Sequence, residues 1–310
     1  MSIKLFAHND SAYRSACLML EKYGKAAIIH PTGTGKSFIA FKLIEDCPEC
    51  SFLWLSPSDY IFKTQVQAVK RESPDFSPDN VRFLTYAKLT YMSDDDFARI
   101  AYAKPDYIIL DEYHRGGAPE WEKALRRLLG CCEGAKLLGL SATNVRYLDN
   151  QRDMARELFD GYIAGEITLG GAIAKKILPA PKYVMAMYRY DSEIERYRKR
   201  VGRMPAGLRG DAENILEALK RSLGNADGLA EIFSKHITKP DSRLIVFCSG
   251  REHMEEMIIE AKGWFEKLNR DMHIYRVFSE NEDADREFEA FKGDFSSALK
   301  LLFCIDMLNG

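Results

Sequence analysis

The segment His30-Pro31-Thr32-Gly33-Thr34-Gly35-Lys36-Ser37 decides the reading of this chain. An uninterrupted apolar run, Ala26–Ile29, precedes it, and Phe38–Ile44 follows with helical periodicity. A buried strand, a glycine turn and a helix in that order are what a phosphate-binding loop requires. Backbone N–H groups near Gly33 and Gly35 can converge on phosphate oxygens, and the helix N-terminus adds about half a positive charge. Lys36 would reach β- and γ-phosphates, and Ser37 would offer a hydroxyl to Mg²⁺. Thr32, Gly33, Thr34, Gly35, Lys36 and Ser37 are therefore the candidate phosphate contacts. One departure is visible: His30 stands where G-x-x-x-x-G-K-[ST] has its first glycine.

A phosphate site of this kind needs an acidic partner at the end of a second buried strand. Tyr107–Leu110 is such a run, and Asp111-Glu112 follows at once. Asp111 suits holding Mg²⁺ through water; Glu112 suits orienting and deprotonating an attacking water. Glu112, Lys36 and Asp111 are the candidate catalytic residues, and Ser37 and Asp111 the candidate Mg²⁺ ligands.

Around this pair the chain alternates. Ala26–Ile29, Phe52–Leu55, Val81–Leu84, Tyr107–Leu110 and Leu137–Leu140 read as strands, with amphipathic helices such as Ile61–Lys70 and Trp121–Leu129 between them. Continuous apolar strands separated by helices predict a doubly wound parallel sheet covered on both faces. The pattern lapses over about 150–240, where Asp191–Val201, Ala212–Leu223 and Leu229–His236 read as helices. Strands return at Leu244–Cys248, Ile274–Phe278 and Leu301–Ile305. The expected division is an α/β nucleotide-binding domain over 1–165, a helical connector over 166–240 and a partial second α/β domain over 241–310.

Asp111-Glu-Tyr-His114 resembles the D-E-x-H motif II of superfamily II helicases and translocases, and Ser141-Ala-Thr143 resembles their motif III. Ser56-Pro-Ser58 is similar to motif Ia, Thr85-Tyr86 to motif Ib, Val246-Phe-Cys248 to motif IV, and Cys304–Asn309 to the start of motif V. The resemblance implies two RecA-like P-loop NTPase domains, the second incomplete here, that bind ATP and Mg²⁺ and move along DNA or RNA. It implies that Ser56, Ser58, Thr85 and Tyr86 contact a nucleic-acid backbone, as small polar groups can without reading sequence. Helix capping is the alternative for the same residues. His114, Ser141 and Thr143 would couple the γ-phosphate to domain movement, by exchanging hydrogen-bond partners between nucleotide states. Phe6-Ala-His-Asn9 resembles the adenine-contacting segment, with Asn9 in place of the usual glutamine; alternatively Asn9 caps a helix beginning near Ser11. Arg146-Tyr-Leu-Asp149 with Leu178–Tyr183 resembles the connector of a bacterial D-E-x-H branch. The family's arginine motif VI does not occur in these 310 residues. ATP–Mg²⁺ binding is therefore expected of this chain, efficient hydrolysis is not, and a further C-terminal helicase region is expected beyond it. A restriction-system translocase subunit and a nucleotide-dependent binding module without motor activity are the competing readings.

Composition is consistent with this and does not select it. Charged residues make up 29 % and the net charge is −2, so no global basic field advertises nucleic acid. No apolar run reaches the roughly 18 residues of a membrane span, so a cytoplasmic protein with no membrane partner is expected. Seven scattered cysteines argue against a disulfide framework, and Cys47-Pro-Glu-Cys50 lacks the second pair of a zinc site. Arg196-Tyr-Arg-Lys-Arg200, Arg203 and Arg209 could track a phosphate backbone; a solvated helix face balanced by Glu193, Glu195 and Asp211 is the favoured reading.

Overall fold

The computed structural model describes residues 2–146, 151–184, 190–224, 229–268, 270–278, 281 and 283–305. The chain divides into two compact units, Met1–Pro181 and Lys182–Gly310.

The first unit runs α1 (Ala7–Tyr23), β1 (Lys25–Ile29), α2 (Lys36–Asp46), β2 (Phe52–Ser56), α3 (Asp59–Glu72), β3 (Val81–Thr85), α4 (Tyr86–Thr90), α5 (Asp94–Ala103), β4 (Tyr107–Asp111), a 3₁₀ turn (Tyr113–Gly117), α6 (Pro119–Cys131) and β5 (Lys136–Ser141). A short antiparallel pair follows, β6 (Val145–Arg146) and β7 (Arg152–Asp153), then α7 (Met154–Phe159), β8 (Ile163–Glu166) and α8 (Leu169–Ala174). The main sheet is six-stranded and parallel in the order β3-β2-β4-β5-β1-β8.

Strand residues alternate between two cores, which is why both faces read as apolar. Ala26, Ile28, Phe52, Trp54, Tyr107, Ile109, Leu138 and Leu140 face α1, α2 and α3. Ala27, Ile29, Leu53, Leu55, Ile108, Leu110 and Leu137 face α4 to α7. The five strands expected in this unit are all present. β8 was not expected: Ile163-Ala-Gly-Glu166 carries no apolar run, and it is held by pairing with β1. The first helix begins at Ala7 rather than near Ser11, because the Phe6 carbonyl accepts the Asn9 and Asp10 N–H groups.

Gly139 in β5 leaves space for the buried ring of Phe159. A β-carbon there would lie 2.2 Å from Phe159 Cζ. That ring packs edge-on against Tyr113, with centroids 5.0 Å apart. Gly139→Ala is expected to destabilise the unit by about 1–3 kcal/mol through overpacking. A thermal melt checks it: adding Phe159→Leu to Gly139→Ala should recover part of the lost Tm.

In the second unit, α9 (Tyr190–Val201), α10 (Ala206–Gly224) and α11 (Leu229–His236) precede β9 (Arg243–Phe247), α12 (Arg251–Lys267), β10 (Met272–Phe278), α13 (Ala284–Gly293) and β11 (Leu299–Ile305). The three strands are parallel in the order β10-β11-β9. One face carries α12 through Met254, Ile258, Ala261 and Phe265, and the other carries α13 through Phe291. The resemblance to motif V falls mostly on 306–309, outside the described residues, as do residues 147–149 of the connector resemblance.

Candidate nucleotide site

In a parallel sheet every strand ends on the same edge, and ligand sites form there. β1, β4 and β5 end side by side. His30 N–H donates to the Ser141 carbonyl at 3.0 Å, and β4 pairs with β5 up to Asp111–Leu140. The phosphate-type loop, Asp111-Glu112 and Ser141-Ala-Thr143 are thus brought to one edge.

The loop turns through Gly33 at φ +88° and Gly35 at φ +79°, a region that disfavours any side chain. A β-carbon on Gly35 would also sit 3.1 Å from Asn9 Nδ2. Thr34 is buried, its hydroxyl donating to the Pro31 carbonyl at 2.8 Å. Thr32 and Gly33 are exposed and Ser37 is half-buried, so these three face outward from a fixed base.

Lys36 opens α2 and its ammonium lies 2.8 Å from Glu112 Oε1, both side chains being about nine-tenths buried. Glu112 takes φ +51°, a left-handed conformation that is costly for a non-glycine residue and turns its carboxylate to the lysine. Asp111 is fully buried. Its Oδ2 accepts from Gln65 Nε2 at 3.0 Å, and its backbone carbonyl accepts from Tyr86 OH at 3.0 Å. Its Oδ1 has no hydrogen-bond partner among the described residues. Burial, then the neighbouring Glu112 charge, pushes the Asp111 carboxyl up to about 6. A buried carboxylate with one oxygen free of hydrogen bonds among the described residues is an oxygen donor of the kind a hydrated Mg²⁺ takes.

His114 Nδ1 meets Ser141 Oγ at 2.7 Å, and Ser141 Oγ donates to the Thr143 carbonyl at 2.6 Å. A hydroxyl has one proton, so His114 is the donor to Ser141. His114 Nδ1 also lies 3.5 Å from Glu112 Oε2. Hydrogen bonds therefore join His114 to Thr143 through Ser141, while Glu112 Oε2 lies close by with no hydrogen-bond partner among the described residues; the Thr143 hydroxyl accepts from Val145 N–H at 3.1 Å.

Asn9 is fully buried, on α1. Its Nδ2 donates to the Thr34 and Gly35 carbonyls at 2.9 and 3.2 Å, and its Oδ1 meets His30 Nδ1 at 3.1 Å. This amide faces the loop and not an open base pocket, and it caps no helix. Because its oxygen can only accept, His30 is the donor and carries its proton on Nδ1. Burial pushes the His30 imidazolium down to about 4, so the ring is neutral at pH 7. His8 reaches the same Thr34 carbonyl at 3.0 Å, and the exposed Phe6 ring stacks on His8. Sequence reading missed His8 and Gln65; nothing in the spacing of either marks it.

The candidates for nucleic-acid contact divide. Ser58 Oγ accepts from Ile61 N–H and Thr85 Oγ1 from Lys88 N–H, so both cap helices, α3 and α4. Ser56 and Tyr86 are fully buried. Tyr86 stacks on Trp121 with centroids 5.3 Å apart, so neither of these two side chains reaches the surface. In the basic stretch Arg198 pairs with Glu195 and Glu217, and Arg209 turns back onto the Gly202 and Met204 carbonyls.

Residues 2–146 match the family described as "Type III restriction enzyme, res subunit". That family is of superfamily II helicase type, and this segment is similar to it. No curated protein matches the sequence. Among solved structures the whole chain superposes on a quarter (25 %) of the ATP-dependent Type ISP restriction-modification enzyme LlaBIII bound to DNA, at 16 % identity and a TM-score of 0.62. It superposes over 96 % of its length on 53 % of a fragment assigned to the HsdR subunit of a type I restriction enzyme from Vibrio vulnificus YJ016, at 16 % identity and a TM-score of 0.54. The Pyrococcus furiosus Hef helicase domain matches over 98 % of this chain and 85 % of its own, at 14 % identity and a TM-score of 0.52. The α/β architecture of the helicase-type domain is thus shared with RecA-like ATPase cores. Among the described residues no helix is long and apolar enough to cross a membrane.

Proposed function

We propose that this chain is part of an ATP-driven motor that moves along nucleic acid, DNA in the first instance, of the kind that restriction systems use. The observation that carries the reading is the buried Lys36–Glu112 pair beside the free Oδ1 of Asp111, at the end of the strands that also carry His114 and Ser141. In the proposed site Thr32 to Ser37 cradle the phosphates, Lys36 leaves Glu112 for the β- and γ-phosphates, and Ser37 and Asp111 hold Mg²⁺. That ion supplies charge neutralisation on the phosphates. Glu112, released, orients and deprotonates water, and its change of partner passes through His114 to Ser141 and Thr143.

Two roles differ from the sequence expectation. Asn9 braces the loop rather than reading adenine, and the exposed Phe6 ring is the better platform for a base. Ser58 is the half-exposed member of the nucleic-acid set, while Ser56 and Tyr86 act from beneath, in the interior. The proposed division remains a first RecA-like domain over 1–165, a connector over 166–240 and the start of a second over 241–310.

The test is nucleotide binding by this chain, and ATP hydrolysis by it and by a longer form that carries the expected C-terminal helicase region, with and without single- and double-stranded DNA and RNA. Mg²⁺-dependent ATP binding with turnover stimulated more by DNA than by RNA supports the reading. Stimulation by RNA alone would replace DNA as the track. Nucleotide binding that alters nucleic-acid affinity, with no turnover under any condition, would favour a nucleotide-switched binding module.

A further inference from the structure

We propose that Gln65 is a positioning residue for the metal-binding carboxylate, holding Asp111 so that one oxygen is presented to the cation. This rests on the nucleotide–Mg²⁺ reading above. Gln65 lies on α3, outside every motif that led to the site. Its Nε2–H donates to Asp111 Oδ2 at 3.0 Å. The amide cannot be turned over, because Oε1 against Oδ2 would place two acceptors in contact. Gln65 Oε1 and Asp111 Oδ1 are both buried and without hydrogen-bond partners among the described residues. One residue thus shows a bonded donor and a free acceptor, and its neighbour a bonded and a free carboxylate oxygen. Two free acceptors at one buried place suit the protons and charge of a hydrated divalent cation: Asp111 Oδ1 takes the ion or its water, and Gln65 Oε1 accepts from a second water.

The Asp111 backbone is held from the opposite side by Tyr86 OH at 3.0 Å, so the carboxyl rotor is what remains to be fixed. Gln65 is the group that fixes it. α3 is seated by Val69, with Phe62 and Val66 packed against the same core, so its apolar contacts do not depend on the glutamine. Ser56, one step beyond the Leu55–Leu110 pair, ends its strand beside Asp111 with a buried hydroxyl that also has no partner among the described residues.

The experiment titrates a fluorescent ADP analogue into the full chain and into Gln65→Met, which keeps length and removes both polar atoms. Binding is read in EDTA and across a MgCl₂ series, with a thermal melt of each protein. Gln65→Met is expected to raise the Mg²⁺ concentration for half-saturation by about 10- to 100-fold. Its nucleotide affinity in EDTA should match the parent, and its Tm should fall by no more than the loss of one hydrogen bond to a buried carboxylate brings. An unchanged Mg²⁺ requirement overturns the proposal. So does an equal loss of affinity in EDTA, since Gln65 would then shape the phosphate loop and not the metal. If the parent chain binds the analogue without any dependence on Mg²⁺, or not at all, the nucleotide–metal reading itself fails and takes this inference with it.

Discussion

Glu112→Gln is expected to lower ATP hydrolysis by about 10²- to 10⁴-fold, the contribution of a positioned general base, while leaving nucleotide affinity no weaker. The asymmetry follows from the Lys36–Glu112 contact. With no nucleotide the two charges neutralise one another at 2.8 Å in a nearly water-free place. Incoming phosphates must draw Lys36 away and leave Glu112 facing them. An amide holds an ammonium less firmly than a carboxylate does, so in Glu112→Gln the lysine is easier to recruit. The same amide cannot accept the proton of the attacking water, so chemistry stalls with nucleotide bound. Phosphate release over hours, set beside a fluorescent nucleotide titration, separates the two effects. Hydrolysis by Glu112→Gln within threefold of the parent would remove Glu112 from the base role; a parallel collapse of affinity would mean that the pair is needed to shape the loop.

The architecture was legible because the strands are continuous and apolar and the helices amphipathic. Phe52-Leu-Trp-Leu55 and Tyr107-Ile-Ile-Leu110 have side chains buried on both faces, and each face met its own core. β8 was not legible because a four-residue edge strand with Gly165 and Glu166 depends on its neighbour β1 rather than on its own pattern. The phosphate loop and Asp111-Glu112 could be placed because a strand end fixes where the next residue must lie. The direction of a side chain at a strand end is another matter. Ser56 and Tyr86 stand at the edge where a nucleic-acid contact was expected, yet the pleat and the α4 turn send both inward. Gln65 is beyond any sequence rule: it meets Asp111 only because α3 crosses the end of β4. Asn9 was placed near the nucleotide by resemblance. Its partners are the Thr34 and Gly35 carbonyls and His30, the residue that departs from the glycine of the loop motif.

Asn9→Ala should therefore act on every nucleotide alike. The substitution removes one of two hydrogen bonds at the Thr34 and Gly35 carbonyls, which keep His8 and the Phe38 N–H, and leaves the His30 Nδ1–H without its buried acceptor. One unsatisfied buried donor costs about 1–3 kcal/mol, so a loss of about that size in stability is expected. The His30 ring cannot escape by charging, since its burial holds it neutral at pH 7. A loop displaced by about 1 Å loses phosphate geometry worth as much as 100-fold in rate. ATP and GTP analogues should weaken by the same factor and the Tm should fall. An amide that read adenine would behave differently: ATP affinity alone would drop, GTP would be unaffected, and the Tm would barely move. The double change Asn9→Ala with His30→Gly tests the pairing directly. Once the Asn9 acceptor is gone, removing the His30 donor no longer breaks their hydrogen bond, so part of its single cost disappears. The double variant also restores glycine at the head of the loop. Its Tm should fall by less than the sum of the two single losses, and a fall equal to that sum would show that Asn9 and His30 do not act as a unit.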